Sequence, residues 1–232
     1  MFLKRWEDLP ENMKTEEVRP YYKALQRHKV SLVLKRIFDF LISLILLLII
    51  WPVLGIIAMA IKLDSKGPAF FRQERITTYG KKFRIWKFRT MVVNAEEIGS
   101  QVTVNNDRRV TKIGKILRGV RLDELPQVIN ILAGEMSFVG TRPEVPKYVN
   151  AYKPEYYATL LLPAGVTSEA SIRYKDEDKL LSEADDTDKI YIDKVLPAKM
   201  VWNLESIKSF AFLREILTIF RTILAVFGKD YH

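Results

Sequence analysis

The sequence contains no cysteine and only two histidines, His28 and His232. That excludes disulfides, thiol nucleophiles and zinc centres built from cysteine or histidine. A Ser-His-Asp triad would have to recruit one of two unpromising histidines. Neither a GxGxxG run nor a Walker GxxxxGK[ST] run occurs, so the usual nucleotide-binding loops are missing as well. Internal repeats and low-complexity tracts are absent too. What remains for chemistry is carboxylate, lysine, arginine and tyrosine. The 232 residues are 48% hydrophobic and 28% charged, enough apolar material to bury a core.

Charge is unevenly spread. Residues 40–61, FLISLILLLIIWPVLGIIAMAI, carry none. Residues 62–121 carry fifteen Lys/Arg against five Asp/Glu, a local +10 inside a chain whose net charge is +9. The 22 uncharged residues would extend about 33 Å as a helix, enough for a hydrocarbon core of about 30 Å. The run starts too far in, and after too many charges, to read as a signal peptide. Pro52 predicts a kink or break at Trp51-Pro52, because proline removes a backbone donor and clashes with the preceding turn. Two arrangements follow: a kinked spanning helix, or a re-entrant hairpin returning to the same face. Lys29, Lys35 and Arg36 before the run, with Lys62 and Lys66 after it, give both flanks the charge that stays in the cytoplasm.

The soluble part reads in short pieces. Residues 1–34, mixed in charge and holding Pro10 and Pro20, suggest short helical segments ahead of the membrane element. AFFRQERI and KKFRIWKFR flank Thr77-Thr78-Tyr79-Gly80, the pattern of a hairpin. A helix start and a polar loop around Asn105-Asn106-Asp107 are expected within 91–110. In TKIGKILRGVR, residues 111–121, Ile113, Ile116, Leu117 and Val120 share one helical face, which suits either a core-facing helix or one lying on anionic headgroups. LDELPQVINILAG predicts a helix entered at Pro126 and stopped at Gly134. Glu205 to Phe227 reads as one helix, apolar almost all round and either buried or interfacial. Residues 174–194 are acidic and expected to be exposed.

The stretch Arg118-Gly119-Val120-Arg121-Leu122-Asp123-Glu124-Leu125-Pro126-Gln127 is where chemistry concentrates. Asp123 suits a plain helix cap, with Glu124 complementing the dipole. The same pair, amid Lys and Arg, would keep a low pKa and stay ionised, as a nucleophile or Mg²⁺ ligand requires. Arg118, Arg121 and Arg142 suit bidentate contacts to phosphate. A rival acidic site is Asp185-Asp186-Thr187-Asp188, which contains a D-x-D triplet of the kind that holds a metal-bound sugar nucleotide.

Taken together, several blocks in order make the chain resemble the bacterial sugar transferases, the monotopic polyprenyl-phosphate phosphoglycosyl transferases. They are Lys35-Arg36-Ile37-Phe38-Asp39, the proline-interrupted apolar helix, Gly67-Pro68-Ala69-Phe70-Phe71-Arg72-Gln73, Lys87-Phe88-Arg89-Thr90-Met91, Arg118, Asp123-Glu124-Leu125-Pro126-Gln127 and Gly134-Glu135-Met136-Ser137-Phe138-Val139-Gly140. The resemblance runs to about residue 227. It implies an α-rich α/β, monotopic membrane protein with a Pro-broken re-entrant helix, interfacial amphipathic helices and a small β-hairpin. Three parts follow from it: an N-terminal extension (1–34), the re-entrant helix (35–66) and a catalytic domain (67–232) at the cytoplasmic face of the bacterial inner membrane. The implied reaction moves a sugar 1-phosphate from a UDP-sugar to a polyprenyl phosphate such as undecaprenyl phosphate, with Mg²⁺, as the first membrane step of a glycoconjugate pathway. Asp123 would be the nucleophile and metal ligand, forming a covalent phosphosugar and releasing UMP, with Glu124 assisting. Arg118, Arg142, Lys87, Arg89 and Gln127 would hold phosphate or nucleotide.

Partners would be the UDP-sugar, the polyprenyl phosphate and the lipid bilayer, with no nucleic acid and a second copy of the chain as a further candidate. Three departures from the family pattern bear on the sugar pocket: Gly140-Thr141-Arg142-Pro143, Pro163-Ala164-Gly165-Val166-Thr167-Ser168, and Arg75-Ile76-Thr77. The competing functions are a basic, membrane-anchored nucleic-acid binder using Phe83, Trp86 and Phe88, and a scaffold with no catalysis.

Overall fold

Two 3-10 turns, Trp6–Asp8 and Glu11–Met13, and helix α1 (Arg19–Gln26) lead into helix α2 (Lys29–Asp64). The computed structural model describes residues 3–95, 107–174 and 186–226. Asn105, Asn106, Asp185 and His232 lie outside them. The opening residues do not form a separate appendage. Leu9, Met13, Val18, Tyr21, Tyr22 and Leu25 are buried in the largest core, against Tyr148, Leu161, Leu196 and Met200. His28 is structural: its Nδ1 lies 3.0 Å from the Ala24 carbonyl and its ring sits edge-on to Phe210.

Helix α2 is one continuous element of 36 residues with Pro52 inside it. The helix is not interrupted at Trp51-Pro52; a kink, the other outcome Pro52 predicts, is compatible with a continuous helix. Losing one backbone donor costs a single rung of the helix, and the apolar residues on either side favour keeping the rest. Leu48, Ile49, Trp51, Ile56 and Met59 are well exposed. A second face tells a different story. Lys35, Arg36, Asp39, Leu47, Ile50, Leu54, Ile57 and Ile61 recur at helical spacing, and all of them contact the rest of the protein. The Lys35 ammonium donates to the Val139 carbonyl at 2.7 Å and pairs with Glu215; Asp39 accepts the Phe138 amide at 3.2 Å. Near the far end, Asp64 accepts the Ile113 amide at 3.3 Å.

Strands β1 (Phe70–Ile76) and β2 (Lys82–Phe88) form the expected antiparallel hairpin, in the register Phe71↔Lys87, Gln73↔Ile85 and Arg75↔Phe83. Directly opposed residues share a face. Phe71, Gln73, Arg75 and Lys87 therefore stand on one side. The turn is closed by Thr77 N–H donating to the Lys81 carbonyl, with Tyr79 and Gly80 at positive φ. Helix α3 (Lys112–Gly119), capped by Thr111, crosses this unit. Its Gly114 is needed for close approach, since a Cβ there would meet the Thr90 carbonyl at 2.1 Å. The apolar face expected on α3 is divided: Leu117 packs inward, whereas Ile116 and Val120 point outward.

After a 3-10 turn (Leu122–Glu124), helix α4 (Gln127–Ala133) ends at Gly134, φ 81°, where the sequence placed its stop. Asn130, fully buried on α4, accepts the Trp86 amide and donates to the Arg84 carbonyl, which stitches α4 to β2. Strand β3 (Met136–Val139) then pairs in parallel with β4 (Ala164–Thr167), with helix α5 (Pro146–Val149) between them. The second sheet was not expected: four-residue strands carry too short an alternation to stand out. Helices α6 (Glu169–Arg173), α7 (Thr187–Ile190), α8 (Leu196–Lys208) and α9 (Phe212–Val226) follow. The single helix expected over 205–227 is two. The chain turns at Ser209–Ala211, where Phe210 is buried in the main core beside His28. Nor is α9 apolar all round. Leu213, Leu217, Phe220 and Leu224 form an exposed stripe, and Thr218 is buried behind it.

Candidate active site

Arg121 ends α3 with a left-handed backbone, φ 56° and ψ 23°. That conformation is costly for a residue with a Cβ and concentrates at functional sites. It reverses the chain so that Leu122-Asp123-Glu124 forms a tight turn between α3 and α4. Asp123 is thus no helix cap, because α4 starts later, after Pro126.

The two carboxylates of this turn have opposite surroundings. Glu124 is held by Arg142, with Nη2 to Oε1 at 2.5 Å and Nη1 to Oε2 at 3.5 Å, and by Lys87 Nζ at 3.4 Å. Burial would raise its pKa, but Arg142 and Lys87 hold it well below the usual carboxylate range. Asp123, 9% exposed, accepts no hydrogen bond from any described residue. Burial and the neighbouring Glu124 raise its pKa, against the opposing pull of Lys87, Arg118 and Arg142. The low pKa expected for both acids holds for Glu124 only. At Asp123, removal from water outweighs cations that lie near it but do not bond to it.

Asp123 faces a cavity of about 390 Å³, also lined by Arg75, Lys87, Arg109, Arg118 and Phe71. Arg118 spends its Nε on Thr90 Oγ1 at 2.9 Å, and its Nη nitrogens donate to no described residue. Lys87 is pushed down to about 8, chiefly by burial, with Glu124 resisting. Arg89 borders the cavity, but its Nη1 and Nη2 donate to the carbonyls of Lys66 and Ser65 at 2.8 and 2.7 Å. It clamps the end of α2 in place of the phosphate role expected of it. Gln127 does not reach this cavity; it lines another, on the far side of the turn. Arg75 also lines the cavity, but its Nη1 donates to the Pro143 carbonyl at 3.0 Å and its Nε and Nη2 donate to Gln73 Oε1, so it contributes charge more than free donors. Strand alternation placed it on the Lys87 face, and that was the usable signal.

Among the described residues no group of three or more His, Cys, Asp or Glu side chains gathers for a metal. Magnesium at phosphate sites takes one or two carboxylates and completes its shell with phosphate and water. A buried carboxylate with unclaimed oxygens facing a cationic cavity meets that requirement, and Asp123 is one. The D-x-D triplet does not. Asp186 caps α7, and Asp188 accepts from Tyr148 and Lys147. Asp185, which precedes the triplet, lies outside the described residues. Of the aromatics a nucleic-acid binder would use for stacking, Phe83 and Phe88 are turned into the core, and half-buried Trp86 has its ring covered by the Arg72 guanidinium.

The model of the bacterial sugar transferase family matches residues 30–229. Among curated proteins, an Aeromonas hydrophila UDP-N-acetylgalactosamine-undecaprenyl-phosphate N-acetylgalactosaminephosphotransferase is 35% identical over 201 residues, covering 84% of this chain and 44% of that protein. An Escherichia coli (strain K12) UDP-glucose:undecaprenyl-phosphate glucose-1-phosphate transferase is 37% identical over 203 residues, 85% of this chain and 41% of that protein. A Caulobacter vibrioides protein of the same name is 42% identical over 144 residues, 60% of this chain and 53% of its own length. The chain thus spans less than half the length of the first two relatives.

Proposed function

The chain belongs to the bacterial sugar transferase family, and we propose that it transfers a sugar 1-phosphate from a UDP-sugar to a polyprenyl phosphate. The observation that carries this reading is Asp123: a buried carboxylate without a hydrogen-bond donor, facing a cavity lined by Arg75, Lys87 and Arg118. The cations of that cavity suit a diphosphate, and the raised pKa of Asp123 makes it a better nucleophile than an ordinary aspartate. An Asp123 oxygen would attack the sugar-bearing β-phosphorus. The bond from that phosphorus to the bridging oxygen breaks, and UMP leaves with the electron pair. An oxygen of the polyprenyl phosphate then attacks the same phosphorus, the bond to Asp123 breaks, and the carboxylate is restored. The acceptor is already an anion, so no strong base is needed.

Glu124, fixed in its ionised form, is a poor base. Its part is to hold Arg142 and Lys87 in place, which makes it a positioning residue. Mg²⁺ would be held by Asp123 together with the diphosphate, and would supply charge neutralisation. The test is UMP release from a panel of UDP-sugars in the presence of polyprenyl phosphate. Release with none of them would overturn the reading. The relatives act on different sugars by name, glucose and N-acetylgalactosamine, so the panel also decides the sugar.

Lys87 adds a pH dependence. It is charged below about 8 and neutral above. Between pH 7 and 9 the KM for UDP-sugar is expected to rise by roughly tenfold, the scale of one lost charge-assisted contact. Lys87→Arg should flatten that rise, because arginine does not titrate there. A rise of the same size in the Arg variant would refute the assignment.

The same reading bears on the membrane. Contacts of one α2 face run from Lys35 to Asp64, about 44 Å of helix, so both ends of the helix meet the same soluble body. A spanning helix would leave one end on the far side. We therefore place the chain at the cytoplasmic face of the inner membrane, with α2 entering and leaving by that face. Because the sequence has no cysteine, Lys29→Cys and Lys66→Cys can be labelled singly on sealed vesicles with an impermeant thiol reagent. Both should react from the same side; reaction from opposite sides would refute the re-entrant placement.

A further inference from the structure

The 3-10 turn of Asp123 and Glu124 separates two cavities. Asp123 faces the cationic one. Glu124 and Arg121 line a second, about 610 Å³, whose other walls are mainly apolar, Leu46 and Ile50 of α2, Phe138 and Ala225 among them, with the hydroxyls of Thr167, Ser171 and Thr222 as polar exceptions. Gln127 also lines it. That side chain is 1% exposed, and neither its Oε1 nor its Nε2 has a hydrogen-bond partner. Buried amides are almost always paired, so two orphaned atoms just behind a cavity wall point to a ligand that pairs them once the side chain turns into the cavity.

Resting on the transferase reading above, we propose that this second cavity seats the acceptor: its phosphate against Gln127 and Arg121, its first isoprene units between α2 and α9. Several features select this occupant. The amide Nε2 and the Arg121 guanidinium are donors, as an anion requires. Arg142 and Lys87 neutralise Glu124 and so remove the repulsion a phosphate would otherwise meet. Leu46 and Ile50 carry the apolar wall onto the same helix whose other faces expose Ile45, Leu48 and Ile49. A long chain can leave along that surface into hydrocarbon. The volume is that of a small-ligand pocket and takes only the head of such a lipid. Donor and acceptor would thus bind on opposite sides of the turn, and an oxygen of the acceptor phosphate would reach round it to the phosphorus on Asp123 as the bond from that phosphorus to the carboxylate breaks.

Two substitutions test this in the full-length protein in detergent, with defined polyprenyl phosphate as the probe. Ala225→Phe fills the apolar end. Gln127→Leu keeps the shape and deletes the orphaned amide. Each is expected to raise the KM for polyprenyl phosphate by about tenfold or more, while UMP release from UDP-sugar alone keeps its amplitude. Gln127→Leu should also melt at or above the unsubstituted protein, since it removes unpaired buried groups. A structural role would instead lower the Tm. Val201→Trp, exposed on α8 and outside both cavities, serves as the unaffected control. An acceptor KM within twofold of normal in both variants would overturn the proposal. So would equal loss of donor-only release, or a seat filled by bulk phospholipid, seen as an acceptor KM that rises with added phosphatidylglycerol. If the unsubstituted protein released no UMP without acceptor, the two-step reading would fail, yet acceptor KM would still decide the cavity.

Discussion

Asp123→Asn is expected to lower UMP release by about 10³-fold or more and to leave the protein at least as stable as before. On the proposed mechanism the loss is large because an asparagine amide would not form the acyl-phosphate bond, and removal of a nucleophile is not made good by its neighbours. The stability follows from the sign of the pKa shift. Burial and Glu124 raise the Asp123 pKa, so the folded chain binds that proton more tightly than the unfolded chain does. Ionised Asp123 therefore costs stability at pH values above its folded pKa, and the cost vanishes below the unfolded value of about 3.9. Asparagine removes it. The Tm of the variant should equal or exceed the normal one at pH 7, with the difference closing as pH falls towards about 3.9. Glu124→Gln should behave differently. It frees Arg142 and Lys87 without removing the nucleophile, so a loss of about 10–10²-fold is expected, the scale of a lost charge-assisted contact or two. Equal losses in the two variants, or a lowered Tm in Asp123→Asn, would count against these separate roles.

The contrast between the two acids shows where sequence reasoning stops. Asp123 and Glu124 are adjacent and lie in one basic stretch, so a sequence treats them alike. Only the turn imposed by Arg121 sends one towards Arg142, 18 residues on, and leaves the other without a donor. The hairpin was legible because strand alternation and a Thr-Thr-Tyr-Gly turn are local signals. With it came the shared face of Lys87 and Arg75. The stop at Gly134 was legible for the same reason. Arg89 was misleading: a basic residue in a basic block looks like a phosphate ligand until the end of α2 is seen to need its donors. Pro52 states a preference of the backbone, and the helix runs on through it because of the apolar residues on either side.

The local +10 of residues 62–121 is resolved in a similar way. Part of it is structural, as in Arg89 on the α2 carbonyls and Arg109 on Asp107. Another part stays available, as in the Arg118 Nη groups, and that remainder lines the cavity before Asp123. A surplus of cations in a sequence therefore overstates the phosphate-binding surface. What separates the two uses is whether a backbone carbonyl or a side-chain oxygen of the protein already takes the donors.

The least legible region carries the largest expected effect on stability. Nothing in residues 1–28 matched a motif, and the family match begins only at residue 30. Yet Met13, Val18 and Leu25 are fully buried, and Leu25 sits in the core that also holds Tyr148, Leu161 and Met200. The segment reaches the hairpin too: the Lys4 amide donates to the Tyr79 hydroxyl at 3.0 Å, and the Tyr22 hydroxyl donates to the Lys4 carbonyl at 2.8 Å. The short helical segments were legible, but the face they bury was not, because α1 has only 8 residues, too few for helical periodicity to declare itself. Leu25→Ala is expected to cost about 2–5 kcal/mol, the range for emptying a fully buried leucine site. Many domains have only about 5–15 kcal/mol in total. Removing residues 1–28 altogether would expose Leu161, Leu196 and Met200 at once, and should yield protein that aggregates on extraction from the membrane. Thermal melts of Leu25→Ala and size-exclusion profiles of the truncation check both. A truncated protein that stays monodisperse with an unchanged Tm would show that this core closes without its first helix.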